Sequence, residues 1–383
     1  CFFLFFHIKL VFLTFLNLSF IIKTPSFPLF ILLLLCSCSS NSQETKNNKV
    51  TLLFVGNLMQ HQGQIDAART PQGYDYSACF KLVKDEIDSA DIAIGNLEVT
   101  LGGKPYKGYP QFSAPDEFLY AIRDAGFDVL LTANNHCLDR GQKGLERTIA
   151  KLDSLGIPYA GTYQNNQIKN VRYPLILEKK GIRIALLNYT YGTNGFKTTG
   201  SNVVNYIDKA AISRDIELAR AQKVDVIIAC MHWGEEYKQI PSNAQKEMAM
   251  WLIKQGVNHV IGSHPHVVQP IVVQTDSLSQ QKNVIAYSLG NYISNMSAPN
   301  TDGGLMLKLE LTKDSITYLS NSAYSLIWVG RPILTREKNH KLIPVRNIPP
   351  TLPIEARNRL ILFTKSTEKL FNKHNHGISE YNF

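Results

Sequence analysis

Cysteine is scarce in this 383-residue chain and badly placed for pairing: Cys1, Cys36 and Cys38 fall near the start, leaving Cys79, Cys137 and Cys230 without any CxxC spacing. That excludes a disulfide framework or a thiolate zinc site as the organising device, and each of the three reads as a small buried apolar residue. There is no run of Lys or Arg and no aromatic ladder, so the net charge of +9 marks no nucleic-acid groove. Four lysines against Glu44 give the first 49 residues +3 of that charge, and the remaining +6 is spread over the body. There is no internal repeat. No methionine precedes Met59, which lies inside an apolar strand-like run, so initiation there would remove that strand and everything before it. With 44% apolar and 19% charged residues the chain has globular composition, long enough for one large α/β domain plus an extension, or for two domains.

The segment after Lys23, FPLFILLLLCSCSSNSQETKNNK, is an apolar run too short for a comfortable membrane span, followed by small residues and a polar tether. Leu35-Cys36-Ser37-Cys38 resembles a bacterial lipobox, which makes Cys38 the expected lipidation site. Residues 1–38 are thus expected to be an export segment that leaves the protein lipid-anchored to the envelope membrane of a bacterium, with 39–48 as tether. A plain secretory peptide or an uncleaved anchor helix are the alternatives, and all three put the body outside the cytoplasm. The Phe-rich residues 1–22 are read as an overextended start or fragment edge and left out of the fold.

From 49 to about 298, short β-branched runs alternate with helical patterns at 78–89, 115–125, 142–155, 207–222 and 243–255, several closed by Gly126, Gly156 or Gly256. Such alternation predicts a layered α/β domain. Residues 299–383 read differently: a β-meander (LMLKLEL, then SITYLSNSAYSLIWV), a Pro-rich crossing, and an amphipathic helix over 354–371 that completes or caps the domain.

Five strand-like runs end in polar, metal-competent side chains: Asn57, Glu98, the Asn134-Asn135-His136 triplet, His232, and His264 with His266. Open α/β sheets gather ligands at the carboxyl ends of their strands, so these positions converge on one site. In GSHPH the two histidines stand at i and i+2, on the same side of an extended segment, and imidazole suits Zn, Mn, Fe or Ni at neutral pH. Each position also has an ordinary explanation, such as an exposed turn for His264 and His266, a core histidine for His232, or a cap for Glu98. One shared site accounts for all five at once.

The strings FVGNLMQHQGQ, IGNLEVTLGG, TANNHCLDRG, MHWGEEY, GSHPHVVQP and YSLGNYI, in this order, resemble the CapA family of capsule or poly-γ-glutamate synthesis proteins, whose fold is similar to that of calcineurin-like metallophosphatases. The resemblance covers about residues 50–298. It implies a four-layer αββα sandwich, with the β-rich extension and terminal helix added, and a centre of divalent ions (Mn, Zn or Fe) on a cell-surface protein. By that resemblance Asn57, Glu98, Asn135, His232, His264 and His266 are the metal ligands, Glu98 bridging. His136, Asn135 and Asp139 form the catalytic group, and Asn134, Glu235, Glu236 and Asn291 position ligands or substrate. An anionic polymer or phosphoester, the membrane, and capsule synthase membrane subunits are the implied partners; nucleic acid is not.

One departure matters. Where the family has Gly-Asp at the end of its first strand, this chain has Gly56-Asn57, and Met59 sits where a DxH histidine would fall, with His61 two residues on. An amide oxygen brings no charge, so one ion is expected to bind tightly and the other weakly. Two functions stay open: a metal-dependent hydrolase of an envelope phosphoester or γ-glutamyl polymer, and a non-catalytic assembly subunit that binds polymer in a degenerate cleft.

Overall fold

The computed structural model describes residues 48–276 and 280–383; Cys38 and everything before residue 48 lie outside the described residues. Two sheets face each other. The larger runs in the order β14-β13-β12-β1-β2-β3-β4, where β1 is Asn48–Leu58, β2 Ile92–Leu97, β3 Val129–Leu131, β4 Tyr159–Ala160, β12 Gly303–Lys313, β13 Thr317–Gly330 and β14 Lys341–Pro344. The smaller runs β9-β10-β8-β7-β6-β5, with β5 Leu175–Lys179, β6 Ile182–Thr190, β7 Val226–His232, β8 His259–Ser263, β9 Ile271–Thr275 and β10 Lys282–Ala286. A short strand β11, Asn291–Ile293, pairs with the end of β1. Strands β1 to β4 are mutually parallel, as are β6, β7, β8 and β10, so each sheet sends several carboxyl ends to one rim.

Strand periodicity builds the layers, because successive side chains point to opposite faces. On β1, Leu52 and Phe54 face the other sheet, meeting Ile184, Leu186, Ile228 and Ile261, while Leu53 and Val55 face outward with the helices. Both faces of the parallel strands are covered, which is why these runs are almost continuously apolar. Helices Asp116–Asp124 and Gly141–Ser154 bury Phe118, Leu119, Ile122, Leu145, Ile149 and Leu152; Lys209–Ala221 and Asn243–Lys254 bury Ile212, Ile216, Ala219, Ala249 and Leu252. Their starts are built as expected of helix ends. The Asp208 carboxylate accepts from the Ala211 amide, and Ser242 and Gln245 form a reciprocal capping box. The result is an αββα sandwich.

The helix expected over 78–89 is broken into a 3-10 turn, Ser77–Cys79, and a short helix, Lys84–Asp88. Cys79, Phe80, Val83 and Ile87 are all buried, so the helical apolar spacing is real, but two short turns satisfy it as well as one helix.

The C-terminal part is woven into the sandwich. β12 runs antiparallel along β1 from Asn48↔Lys313 to Val55↔Met306. Helix Ile354–His374 turns Ala356, Leu360, Phe363 and Phe371 into the layer between the sheets, with Phe371 edge-on to Tyr324 of β13 at 4.9 Å. Just beyond it, Asn375 and His376 hydrogen-bond the backbone of Ile271 on β9. The helix therefore closes one side of the inter-sheet core, and truncating Phe363 to Ala would cost about 3–5 kcal/mol.

Candidate metal centre

The first strand reaches the rim through a bend that only glycine permits: a Cβ on Gly56 would lie 2.1 Å from the carbonyl oxygen of Gly290. The pairing of β1 slips at this point, and the resulting bulge sets Asn57 directly opposite Asn291 of β11. The Asn57 amide is held at both its nitrogen and its oxygen. Its Nδ2 donates to Asn291 Oδ1 at 3.2 Å and lies 3.2 Å from His266 Nδ1, and its Oδ1 accepts from Asn96 Nδ2 at 3.0 Å. Asn291 is held in turn by Nδ2 donating to the Thr301 carbonyl at 2.9 Å. His266 Nδ1 sits 3.0 Å from Asn291 Oδ1; donating there leaves Nε2 as the lone-pair nitrogen, and that atom faces Glu98 Oε1 at 4.0 Å.

Glu98, at the end of β2, has the opposite character. It is fully buried, and neither carboxylate oxygen has a hydrogen-bond partner. Its Oε1 lies 3.5 Å from His232 Nε2. Burial, and then the neighbouring Glu236 and Asp139 carboxylates, hold its carboxyl well above the ordinary glutamate range. His264 Nδ1 is likewise buried without a partner. Burial pushes the His264 imidazole down to about 3, and burial followed by the other histidines holds His232 well below its usual value. Neutral imidazoles are the ionisation state a cation requires, and a cation arriving at Glu98 would displace the proton that burial favours there.

Donor atoms of Glu98, His264 and His266 lie within 4.8 Å of one another. Ligands sharing one ion at about 2.0–2.2 Å stand at most about 4.4 Å apart, so this trio needs only a small contraction. Asn135 Oδ1 is 2.8 Å from His232 Nε2, a spacing suited to two ligands of one ion. The donor set therefore fits divalent cations. Unpartnered buried oxygens in a native site call for such an explanation.

Strained backbone also occurs in this place. His264 has φ +102° and His266 φ +60°, and Tyr237, whose amide donates to the Pro265 carbonyl at 2.8 Å, has φ +66°. Non-glycine residues in this region cost of order 1–3 kcal/mol each and persist where the surroundings over-determine them.

The loop after β3 carries the next group. Asn134 donates to the Leu97 carbonyl and accepts from the His136 amide, which fixes the turn. His136 Nδ1 is 2.8 Å from Asp139 Oδ2, an oxygen that also accepts from the Phe112 amide at 2.7 Å. Burial raises the Asp139 carboxyl, and the hydrogen bond with His136 partly opposes this. Glu236 approaches His266 Nε2 at 4.0 Å from the exposed side. Glu235 is exposed and makes no described contact with the cluster. Met59 points into the core, and His61 caps the helix Gln62–Ala68 and hydrogen-bonds Gln64 and Asn295, outside the donor set.

Four side chains here were not singled out from sequence. Asn96 contacts both Asn57 and His232; it lies two residues before Glu98, so strand alternation alone would have flagged it. Asn188 ties the amides of Thr132 and Ala133 to the Cys230 carbonyl, joining the two sheets behind the site. Asn194 bonds Asn135 at 3.2 Å, and Tyr191 packs on His264 with ring centroids 4.6 Å apart. All three lie on or just after β6, a sixth strand end to which the same reading applies.

The sequence model of the bacterial capsule synthesis protein PGA_cap family matches residues 51–296. The chain is 27% identical over 289 residues to capsule biosynthesis protein CapA of Bacillus anthracis, covering 72% of this chain and 67% of that protein. It is 26% identical over 270 residues to PGA biosynthesis protein CapA of Bacillus subtilis (strain 168), covering 68% and 67%. Among solved structures, the NAD nucleotidase of Haemophilus influenzae aligns with a TM-score of 0.45 at 12% identity, covering 88% of this chain, which spans 58% of that one. A family match over more than half the chain, on the segment that carries the buried cluster, settles membership: this chain belongs to the bacterial capsule synthesis protein PGA_cap family.

Proposed function

We propose that this protein is a metal-dependent hydrolase of a bacterial envelope phosphoester, working in capsule biosynthesis at the cell surface and held to the membrane through Cys38. The observation that carries the reading is Glu98, fully buried with both oxygens unpartnered and two imidazole nitrogens within 4.0 Å. Such a carboxylate is costly unless a cation meets it.

Glu98, His264 and His266 would hold one divalent ion, Mn, Zn or Fe, and Asn135, His232 and Asn57 a second, weaker one. Bound ions supply positive charge against the negative charge that develops on a phosphoryl group. The protein's own part is orientation and proton handling. Asp139 holds the His136 Nδ1 proton, leaving Nε2 to hydrogen-bond the reacting group, and the Phe112 ring, 4.6 Å away and edge-on, limits water on that side. Neutral imidazoles keep their lone pairs available at neutral pH.

A second reading rests on Asn57, whose amide is already satisfied within the protein: an assembly subunit that binds γ-glutamyl polymer without cleaving it. Elemental analysis of the purified protein, with turnover of a simple phosphodiester and of poly-γ-glutamate, separates the two. Hydrolysis expected of the intact protein and lost in His136→Ala, with metal retained, supports the enzyme. Polymer binding without turnover of either substrate overturns it.

A further inference from the structure

Aromatic side chains are exposed at only five positions among the described residues: Tyr109, Tyr191, Phe196, Tyr206 and Tyr237. All five lie on the loops that rim the metal centre. Tyr191 covers His264, and Tyr237 lies over His266 with centroids 6.1 Å apart. Tyr109 packs on Phe112, which in turn contacts His136. Tyr206 bonds Thr193, whose hydroxyl also donates to the Phe196 carbonyl, and the next residue, Asn194, reaches Asn135. Solvent-facing rings are ordinarily scattered; their confinement to one mouth marks a binding surface. No two of the five pack face to face among the described residues, so they do not form a clamp for a single flat base.

Charge accompanies the rings. Lys107, Lys197 and Lys238 are exposed, each within two residues of one of these rings, and none has an ion-pair partner among the described residues. Separate aromatic faces interspersed with unpaired ammonium groups suit a chain that alternates ring and negative charge. A sugar offers an apolar C–H face to a phenol ring and hydroxyls to its edge, and a phosphodiester link offers the charge.

Building on the hydrolase reading above, we propose that the aromatic mouth is a subsite for the sugar rings of a phosphodiester-linked glycan, with a linking phosphate directed to the metal centre. A polyanion without rings, such as poly-γ-glutamate, would meet the lysines but leave the aromatic faces wet.

Calorimetric titration of the full protein with three probes tests this: poly(N-acetylglucosamine 1-phosphate), chitotetraose (rings without charge) and poly-γ-glutamate (charge without rings). The phosphoglycan is expected to bind at least about tenfold more tightly than either of the others. Tyr109→Ala and Phe196→Ala should each weaken it about five- to tenfold without changing metal content or melting temperature, and Lys107→Gln with Lys197→Gln should flatten its salt dependence. Poly-γ-glutamate binding as tightly as the phosphoglycan, or aromatic variants that leave the affinity unchanged, overturns the subsite. Turnover is scored separately. Glycan binding without hydrolysis would sink the enzyme and spare the subsite, and hydrolysis of a ring-free phosphodiester without glycan binding would do the reverse.

Discussion

Asn57 and Glu98 stand at the ends of adjacent strands, both fully buried, yet the two sides of the cleft they define differ in self-sufficiency. On the Asn57 side the amide donates to Asn291 and accepts from Asn96, and His266 finds Asn291, so the group is satisfied from within the protein. On the Glu98 side two carboxylate oxygens and His264 Nδ1 have nothing. Burying a polar atom without a partner costs roughly 1–3 kcal/mol, so one side is stable as it stands and the other is built for an addition. An amide at position 57 thus does more than withhold a charge: its N–H hydrogens close a network that a carboxylate could not close alone.

The sharpest way to break this contrast is Glu98→Gln. Metal affinity should fall at least about a hundredfold, because the loss of a direct ligand exceeds the 10–100-fold typical of a supporting residue. The metal-free protein should melt within about 1 kcal/mol of the original, since no hydrogen bond is lost. Dialysis equilibrium with elemental analysis and melts in chelator read both quantities. Retained metal would show that Glu98 is not a ligand.

Asn57→Asp attacks the other side. It removes the donor to Asn291 Oδ1 and sets two acceptor oxygens about 3 Å apart. The metal-free protein should lose about 1–3 kcal/mol, and affinity for the second ion should rise about tenfold, because an ion relieves the repulsion it meets. Unchanged stability and unchanged stoichiometry together would mean that the Asn57 side is not a metal position.

The smallest effect is on pH. Glu98's carboxyl is raised, so its protonated form favours the metal-free fold fully below the ordinary value near 4.5, and that contribution is lost as pH climbs through the raised one. His264, lowered to about 3, is neutral throughout that window. Metal affinity should therefore increase with pH above 4.5, with up to about one proton released per ion, measurable by calorimetry in buffers of different ionisation enthalpy. Affinity flat across that range would argue against Glu98 as the group displaced.

Much of this contrast was legible in the chain. Asn57, Glu98, Asn135, His232, His264 and His266 all stood at ends of recognisable strands, and the structure brings them to one rim because parallel strands share a direction. Which donors are satisfied could not be read, since it depends on pairings such as Asn57 with Asn291, 234 residues apart. Asn188 illustrates the same limit: its role is to hold the loop after β3 from the opposite sheet, a relation no local pattern carries. Where one helix was expected over 78–89, the apolar spacing was correct and the backbone was not, because burial constrains side chains more tightly than the turn type that delivers them.

The pairing of β1 with β12 also sets an order of assembly. β1 begins at residue 48, but the strand that flanks it on one side arrives only at residue 303, and the helix that dries the inter-sheet layer begins at 354. Until then one edge of β1 is bare and the inter-sheet layer lacks the side chains that the last helix brings to it. A topology so dominated by distant contacts folds slowly, because the cost of closing long loops comes before the contacts that offset it. The growing chain accordingly carries an unpaired strand edge until β12 is made, and such an edge is open to aggregation in the meantime.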